Sequence, residues 1–466
     1  MKRSILLFLL ASLMVACVDT ELVPAEETPY NNAVEVPSSD SVYSYSKDVT
    51  IEEARNILED FLKDNSLSLS KSGSSSIGMK KISEGFAINF GKKTLSKSTG
   101  DSTEAKVYVF NFEDEGGFAL MSATRETPPI FAITDGGTLD TTKEIDNPGL
   151  AMFMATLETK ILRGEMKSED LSSSLSKASA DKEWSVYNRL SGKDKFYKLS
   201  SGLCPYWHQD HPFNQKCPEG PIPKRSSRVN GKTLRLDSVG HYPAGCVPVA
   251  CALLMSTYRY PQMHNGIRFN WEAMINRNDY EGVALLLSEL GRSENLNTTY
   301  SADSSGSSSN NVPRTLRNFG YSNGGQNKSF SVYNINQELK KGYPVLISGA
   351  CFCTDYVAPW GIPLWEYSGG HQWIGQGLME VTYKIDHFIG EGPYTQYLGA
   401  TTETISYILC NMGWGYGNGN GYYLSEIFDT NNGPVYLENG YSKIAITSGT
   451  SGVYKYNFMA VTGIRK

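Results

Sequence analysis

The sequence from residue 241 is His241-Tyr-Pro-Ala-Gly-Cys-Val-Pro-Val-Ala-Cys-Ala-Leu-Leu-Met-Ser-Thr-Tyr-Arg-Tyr-Pro261, a turn followed directly by an apolar segment. Proline is tolerated only in the first turn of a helix, so Pro248 indicates a helix that begins near Cys246 and ends before Pro261. The apolar side chains recur at the spacing of one buried helix face, at Val247, Cys251, Leu254, Met255 and Tyr258. The pattern predicts a core helix with a cysteine at its N-terminus.

Cys246 therefore has two interpretations. The free N–H groups and the dipole of a helix N-terminus favour an anion, so a thiol there can become a thiolate nucleophile. Alternatively, the residue is a buried cysteine that behaves as a small apolar side chain. General burial statistics favour the second interpretation for an isolated cysteine, so the rest of the chain has to decide.

Composition limits the classes of function. The chain has 466 residues, enough for two or three domains. Charged residues make up 20% and the net charge is -6, which indicates no nucleic-acid partner. The eight cysteines include no Cys-x-x-Cys pair, so we expect no structural metal. No cofactor is expected either. Cys204 and Cys217 flank a short polar loop, and an oxidising compartment would permit a disulfide there, although the sequence leaves the pairing open.

The N-terminus predicts export. Positive charge at Met1-Lys-Arg precedes a short apolar segment, which indicates a signal peptide at residues 1–16. Small and apolar residues before Cys17 resemble a lipobox, so we expect a lipoprotein anchored at Cys17 with a polar tether over 17–45. The alternative is an ordinary secretory signal with an incidental cysteine. The expected location is extracytoplasmic, at the cell envelope or surface.

The first half predicts a small α+β domain over residues 46–166. Thr50 and Glu53 have the spacing of a capping box at the start of a helix. A helix is expected at residues 50–65, and a hairpin is expected from strands at 106–112 and 117–122. A third strand at 129–134 and a second helix at 147–161 follow. Residues 167–202 are expected to be a linker that carries an activation cleavage, because residues 167–182 are rich in Ser and Lys.

The second half contains the candidate chemistry. His371 follows two glycines and enters an alternating apolar segment, so it is predicted at the start of a strand. Asn411 ends a later strand and opens a Gly/Trp-rich loop. An imidazole can take the thiol proton of Cys246 and later protonate the leaving amine, while an amide fixes the imidazole tautomer. Gln209, in a polar loop upstream, is a candidate oxyanion donor, and a surface glutamine is the alternative. The other histidines have weaker contexts; His387, for example, is expected in an irregular segment.

These motifs resemble the streptopain family of cysteine proteases from residue 203 onwards. The matching segments are Trp207-His-Gln-Asp-His-Pro-Phe-Asn214, Gly245-Cys-Val-x-Val-Ala, Tyr258-x-Tyr-Pro261, Gly369-Gly-His-Gln-Trp373 and Asn411-x-Gly-Trp-Gly415. The first half resembles the inhibitory propeptide of such enzymes, notably at residues 117–122 and at Asn147-Pro148.

The resemblance implies a papain-like α+β fold at residues 203–466, with a helical and an antiparallel-sheet subdomain, preceded by the propeptide domain. It implies a cysteine endopeptidase made as a zymogen, with protein or peptide substrates and its own propeptide as intramolecular inhibitor. The implied site residues are Cys246 as nucleophile, His371 as base and acid, Asn411 as orienting residue, Gln209 as oxyanion donor, and Trp414, Gly245 and Gly370 as substrate-binding residues.

The sequence departs from the family pattern at Pro248, where the family has a small residue, and at Met412, where the family has tryptophan. Insertions at 351–365 and 380–402 are expected to lengthen the connections around His371. Two other functions stay open on the sequence: a catalytically silent papain-fold surface-binding or inhibitor protein, and an envelope hydrolase of peptidoglycan peptides.

Overall fold

The computed structural model describes residues 46–70, 80–90, 105–140, 145–162, 166, 183–221, 226–229, 232–235, 239–302, 305–352, 356–357, 363–364, 368–390, 392–429 and 457–466. Within these residues, no helix combines the length and the apolar character needed to cross a membrane. The expected signal peptide, Cys17 and the tether lie outside the described residues.

Helix α1 (Ile51–Ser70) opens the described chain. The Glu53 carboxylate accepts the Thr50 N–H at 2.8 Å, and the Thr50 hydroxyl accepts the Glu53 N–H at 3.2 Å. This reciprocal pair is a capping box, so the predicted helix start is confirmed. The helix buries Leu58, Phe61 and Leu62 against the sheet.

Four strands and a second helix complete the N-terminal region, which is the name used here for residues 46–162. The strands are β1 (Ile82–Phe90), β2 (Ala105–Phe112), β3 (Phe118–Ser122) and β4 (Ile130–Thr134), and the helix is α2 (Pro148–Leu162). The predicted hairpin is confirmed as β2 paired with β3. Strand β1 was not predicted from the sequence, because Gly85 interrupts its apolar alternation. Asn147 caps α2, since its Oδ1 accepts the Gly149 N–H at 2.9 Å.

The rest of the chain adds five helices and sixteen strands among the described residues. The helices are α3 (Cys246–Tyr258), α4 (Trp271–Asn276), α5 (Tyr280–Gly291), α6 (Val312–Asn318) and α7 (Val332–Lys340). The longer strands are β5 (Glu183–Arg189), β6 (Lys195–Lys198), β13 (Asn323–Ser329), β14 (Val345–Phe352), β17 (Ser368–Ile389), β18 (Gln396–Asn411), β19 (Gly421–Leu424) and β20 (Asn457–Arg465). The short ones are β7 (Glu219–Pro221), β8 (Ser226–Val229), β9 (Lys232–Arg235), β10 (Val239–His241), β11 (Met263–His264), β12 (Ile267–Arg268), β15 (Tyr356–Val357) and β16 (Pro363–Leu364).

One antiparallel sheet joins the N-terminal region to the rest of the chain. Its strand order is β1-β2-β3-β4-β19-β18-β17-β14-β20-β13, and β5 and β6 also pair with β17. The junction is the pairing of β4 with β19, in which Ile133 lies opposite Tyr422. Aromatic side chains of both regions pack over this junction, including Phe153 against Tyr423 at a ring distance of 4.8 Å. The N-terminal region therefore shares a continuous hydrophobic core with the sheet that carries His371.

Helix α3 forms the centre of a second core. It begins at Cys246, as predicted, and packs on β14 and β17 through Leu346 and Ile374. Gly245 precedes it with φ 93°, a conformation that favours glycine, and a Cβ there would lie 2.9 Å from the Ser305 carbonyl oxygen. The close approach and the positive φ together explain why glycine precedes the cysteine.

Two expectations about connections are wrong. Residues 380–389 and 396–402 form the extended end of the β17–β18 hairpin rather than a loop. His387 lies in β17, hydrogen-bonded to the Ser185 and Thr401 hydroxyls at 3.0 and 2.9 Å. The alternating burial of Val381, Tyr383 and Ile385 is the strand signal that was overlooked. In addition, the expected linker at 167–202 contains β5 and β6.

An ion cluster attaches the β5–β6 hairpin to α1. The Arg189 guanidinium contacts the Asp64 carboxylate at 2.9 Å and the Asp194 carboxylate at 2.5 Å, and it lies 4.9 Å from the centre of the Phe61 ring. The Ser191 hydroxyl also donates to Asp64 at 2.6 Å. The hairpin thus contacts both the N-terminal region and β17.

The disulfide considered between Cys204 and Cys217 is absent, because both cysteines are free. Both side chains are buried in the core around α3, where the Cys204 thiol lies 3.7 Å from the Leu253 carbonyl oxygen. Each cysteine therefore packs as a small apolar residue.

Candidate active site

Cys246 and His371 line one cavity of about 370 Å³. Cys246 reaches it from the first turn of α3, and its thiol lies 3.9 Å from the carbonyl oxygen of Gly370. His371 reaches it from β17, next to Gly370. The other walls are mainly small or polar: Val247, Gly306, Ser307, Ser308, Ser309, Asn310, Asn327, Ser348, Gly349, Ala350, Gly370, Gln372, Asn457 and Met459.

The surroundings of the Cys246 thiol in this structure disfavour the thiolate. Burial raises its pKa, and the backbone N–H groups of Gln372, Cys246 and Val247 lower it by a smaller amount. The helix N-terminus acts in the predicted direction, but the loss of solvation is larger. The net effect of these surroundings is therefore opposite to the lowered pKa expected from the helix N-terminus alone.

His371 is almost completely buried, and its Nε2 lies 2.8 Å from the Met412 carbonyl oxygen. A carbonyl oxygen only accepts, so Nε2 carries the hydrogen and Nδ1 is left with the lone pair of a base. Burial lowers the pKa of His371 to about 4, while the bond to Met412 raises it. The Trp414 ring meets the imidazole edge-on at 5.6 Å.

Asn411, the expected orienting residue, is fully buried at the end of β18. Its Nδ2 donates to the Pro205 carbonyl at 3.1 Å, and its Oδ1 accepts the Gly413 N–H at 3.0 Å. Both Asn411 and His371 belong to the described chain, and no hydrogen bond joins their side chains. The acceptor for the imidazole is instead the Met412 carbonyl, which the sequence analysis missed because backbone acceptors leave no residue-type signal.

Gln209 lies in a loop beside the cavity rather than in its wall. Its backbone oxygen accepts the Ala244 N–H at 2.7 Å, two residues before Cys246, and its neighbour His208 forms a backbone bridge with Trp414. The loop is thereby attached both to the approach to α3 and to the loop after β18. Trp414 is half-buried and, like Gln209, does not line the cavity.

The N-terminus of α2 covers His371. A Cβ at Gly149 would lie 2.6 Å from the Met412 sulfur and 3.3 Å from His371 Cδ2, so the glycine backbone is packed closely against the site. The Asn147 amide donates to the Asn418 carbonyl in the loop that carries Trp414. The packing of Gly149 against His371 excludes water from one side of the imidazole, and this contributes to the lowered pKa of His371.

Two known protein families match segments of this chain. Residues 207–423 match the Peptidase C10 family, and residues 46–161 match the Spi protease inhibitor family. No curated protein sequence matches the chain. Among solved structures, the chain is similar to a cysteine-to-alanine mutant of a fragment of Prevotella intermedia prointerpain A, with 17% identity, a TM-score of 0.42, and coverage of 76% of this chain and 94% of that chain.

The two family matches confirm the predicted fold class, a papain-like peptidase behind an inhibitory α+β domain. They also account for the continuous packing between α2 and the sheet that carries His371, because an inhibitor in the same chain has to cover the site it blocks. Residues 207–423 therefore form a domain of the Peptidase C10, or streptopain, family, and with its inhibitor domain at residues 46–161 the chain is a cysteine-type endopeptidase.

Proposed function

We propose that the chain is a zymogen whose catalytic thiol is Cys246 and whose catalytic base is His371. The observation that carries the proposal is that both residues line one cavity while the inhibitor helix α2 covers the imidazole. Nδ1 of His371 is the ring nitrogen that can take the thiol proton, since Nε2 is bonded to Met412.

The proposed reaction proceeds in two halves. The Cys246 thiolate attacks the scissile carbonyl, and the oxyanion accepts hydrogen bonds from the Cys246 N–H and the Gln209 side-chain amide. The His371 imidazolium then donates its Nδ1 proton to the leaving amine, which leaves a thioester on Cys246. Water attacks the thioester with His371 as base, and the carboxylic acid product and the free thiol are released. Gly245, Gly370 and Trp414 are proposed to contact the substrate around this carbon.

Latency follows from the electrostatics of the covered site. Burial lowers the pKa of His371 to about 4 and raises the pKa of Cys246, so both groups are neutral near pH 7. Departure of α2 would return water to the imidazole and move its pKa back towards the ordinary value near 6.5. A thiolate–imidazolium pair would then be accessible, so removal of the inhibitor both opens the site and activates the nucleophile.

We propose the domain limits 46–166 for the inhibitor and 203–466 for the peptidase, with the activation cleavage within 167–202. The turn at Ser191, Gly192 and Lys193 is exposed and lies between β5 and β6. Cleavage there would separate Arg189 from the Asp194 side of its ion cluster. N-terminal sequencing of the mature form, made with and without Cys246→Ala, would locate the cut and show whether it depends on this thiol.

The proposed location is extracytoplasmic. A signal peptide at residues 1–16, lipidation at Cys17 and a tether over 17–45 would hold the zymogen at the cell envelope, and cleavage within 167–202 would release the peptidase. The support is the order of charged, apolar and small residues before Cys17.

An epoxysuccinyl inhibitor tests the assignment of the nucleophile. After activation of the full chain, the inhibitor is expected to modify Cys246 stoichiometrically and to remove casein hydrolysis in parallel, as mapped by peptide mass spectrometry. Cys251 is the internal control, because it is fully buried five residues further along α3. Casein hydrolysis that persists after complete modification of Cys246 would disprove the proposal.

Gln209→Ala is expected to lower kcat for casein by about 10²–10³-fold, the usual effect of losing one oxyanion donor. The binding of casein should change little, because the donor acts mainly on the charge that develops in the transition state. Gln262→Ala removes an exposed glutamine that donates to the Arg259 carbonyl, and serves as the matched control. Equal effects of the two substitutions would rule out the oxyanion role.

A further inference from the structure

Asn420 is a buried amide that the proposed reaction does not use. It is 1% exposed and directly precedes β19. Its Oδ1 accepts the Met412 N–H at 2.8 Å, and its Nδ2 donates to the Gly415 carbonyl at 3.0 Å. Both ends of one side chain therefore hold the loop that follows β18.

This loop contains the acceptor for His371. The Met412 carbonyl accepts a hydrogen bond from His371 Nε2 at 2.8 Å. The Gly413 N–H, which belongs to the same peptide group as that carbonyl, donates to Asn411 Oδ1 at 3.0 Å. Asn411 thus holds the peptide group on its Gly413 side, and Asn420 holds the preceding N–H of Met412. The position of the carbonyl is determined from both sides by amide side chains that do not touch the imidazole.

We propose that Asn420 is a positioning residue for the peptidase reaction, which acts through the Met412 carbonyl to fix the tautomer and orientation of His371. The inference rests on the proposed roles of Cys246 and His371. Asn420 contacts neither the imidazole nor the cavity, so its effect is transmitted by the backbone of Met412. A displacement of about 1 Å in a group that orients the base is sufficient to cost about 10²-fold in rate.

A pH signature distinguishes this role from a purely structural one. The bond to the Met412 carbonyl favours the imidazolium, because the carbonyl dipole stabilises the positive charge. Loss of a correctly placed carbonyl makes the imidazolium easier to deprotonate. The alkaline limb of activity, where the imidazolium loses its proton, therefore moves to lower pH, by about 0.5–1 unit for one hydrogen bond.

The test compares Asn420→Ala with Asn420→Asp in the full chain after activation. Active enzyme is counted by titration with the epoxysuccinyl inhibitor, and the rate of Cys246 alkylation by iodoacetamide and kcat/KM for casein are measured from pH 5 to pH 10. We expect Asn420→Ala to lower kcat about 10²-fold with KM within about twofold, and to shift the alkaline limb to lower pH. Asn420→Asp keeps the oxygen that accepts the Met412 N–H, so its alkaline limb should not move to lower pH.

Asn418→Ala is the matched control, because Asn418 Nδ2 braces the same loop at the Trp414 carbonyl, 2.7 Å away, without contacting Met412. Its alkaline limb should equal that of the unmodified chain. If Asn420→Ala does not fold, Asn420→Ser, which is also too short to reach the Met412 N–H, replaces it. An unshifted limb for the shortened side chain, or the same shift for Asn418→Ala, would overturn the inference. Absence of Cys246-dependent hydrolysis in the unmodified chain would instead overturn the proposed function.

Discussion

Cys246→Ser is expected to abolish casein hydrolysis, with kcat lowered at least about 10⁴-fold after the chain has been activated by an added protease. A serine hydroxyl has a much higher pKa than a thiol, so it does not form the anionic nucleophile on which the proposed reaction depends. His371 cannot compensate, because an imidazole with a pKa near the ordinary value of about 6.5 does not ionise a serine hydroxyl, whose pKa is far higher. The rate is measured with labelled casein, normalised to the folded protein.

Cys251→Ala is the control for this substitution. Cys251 lies on the same helix, is fully buried, and burial raises the pKa of its thiol strongly. The alanine variant should lose about 1–2 kcal/mol of stability, as expected for a small reduction of a core side chain, and keep its activity. Retention of more than a few per cent of the activity by Cys246→Ser would refute the assignment of the nucleophile.

Gly149→Val is expected to make the uncleaved chain active, raising the hydrolysis of casein by the full-length zymogen about 5–150-fold. A Cβ at this position would lie 2.6 Å from the Met412 sulfur and 3.3 Å from both His371 Cδ2 and Asn147 Oδ1. The added atoms of valine would have to displace the Met412 side chain and crowd the His371 ring, and overpacking of this kind costs about 1–3 kcal/mol. The cost falls on the covered state alone, so the equilibrium shifts towards the uncovered peptidase.

A double-mutant cycle locates the source of that effect. Met412→Ala removes the sulfur that a Gly149 side chain would meet, but it retains the backbone carbonyl that binds His371. In the Met412→Ala background, Gly149→Val should therefore activate the uncleaved chain several-fold less. Activity is measured at early times to limit cleavage, and gels verify that the chain is still full length. Equal activation in both backgrounds would show that the clash does not occur at this contact.

The elements with local signals were predictable from the sequence. The start of α3 at Cys246 followed from Pro248 and from the apolar spacing, and the start of α1 followed from the Thr50 and Glu53 capping box. In both cases the determining interaction lies within one helical turn, so neighbouring residues contain the whole signal. The strand that carries His371 was predicted for the same reason, through its alternation.

Features that depend on distant partners were not predictable. Segment 167–202 gave a linker signal, but β5 and β6 pair with a strand about 190 residues later in the chain. Residues 380–389 are a different case, because their alternating strand pattern is present in the sequence although a loop was predicted there. The chain also contains several Asn residues in its Gly-rich loop after β18, and nothing in their spacing distinguishes Asn420 from Asn418.

The sequence by itself determined the candidate residues for the proposed chemistry and their order, because the cysteine at a helix start, the histidine at a strand and their glycine-rich surroundings have local signals. Only the tertiary structure decided their state. The pKa of His371 depends on how much water α2 excludes, and the acceptor for the imidazole is a backbone carbonyl placed by Asn411 and Asn420. Desolvation and backbone placement are sums over contacts between remote segments, so they appear only when the chain is folded.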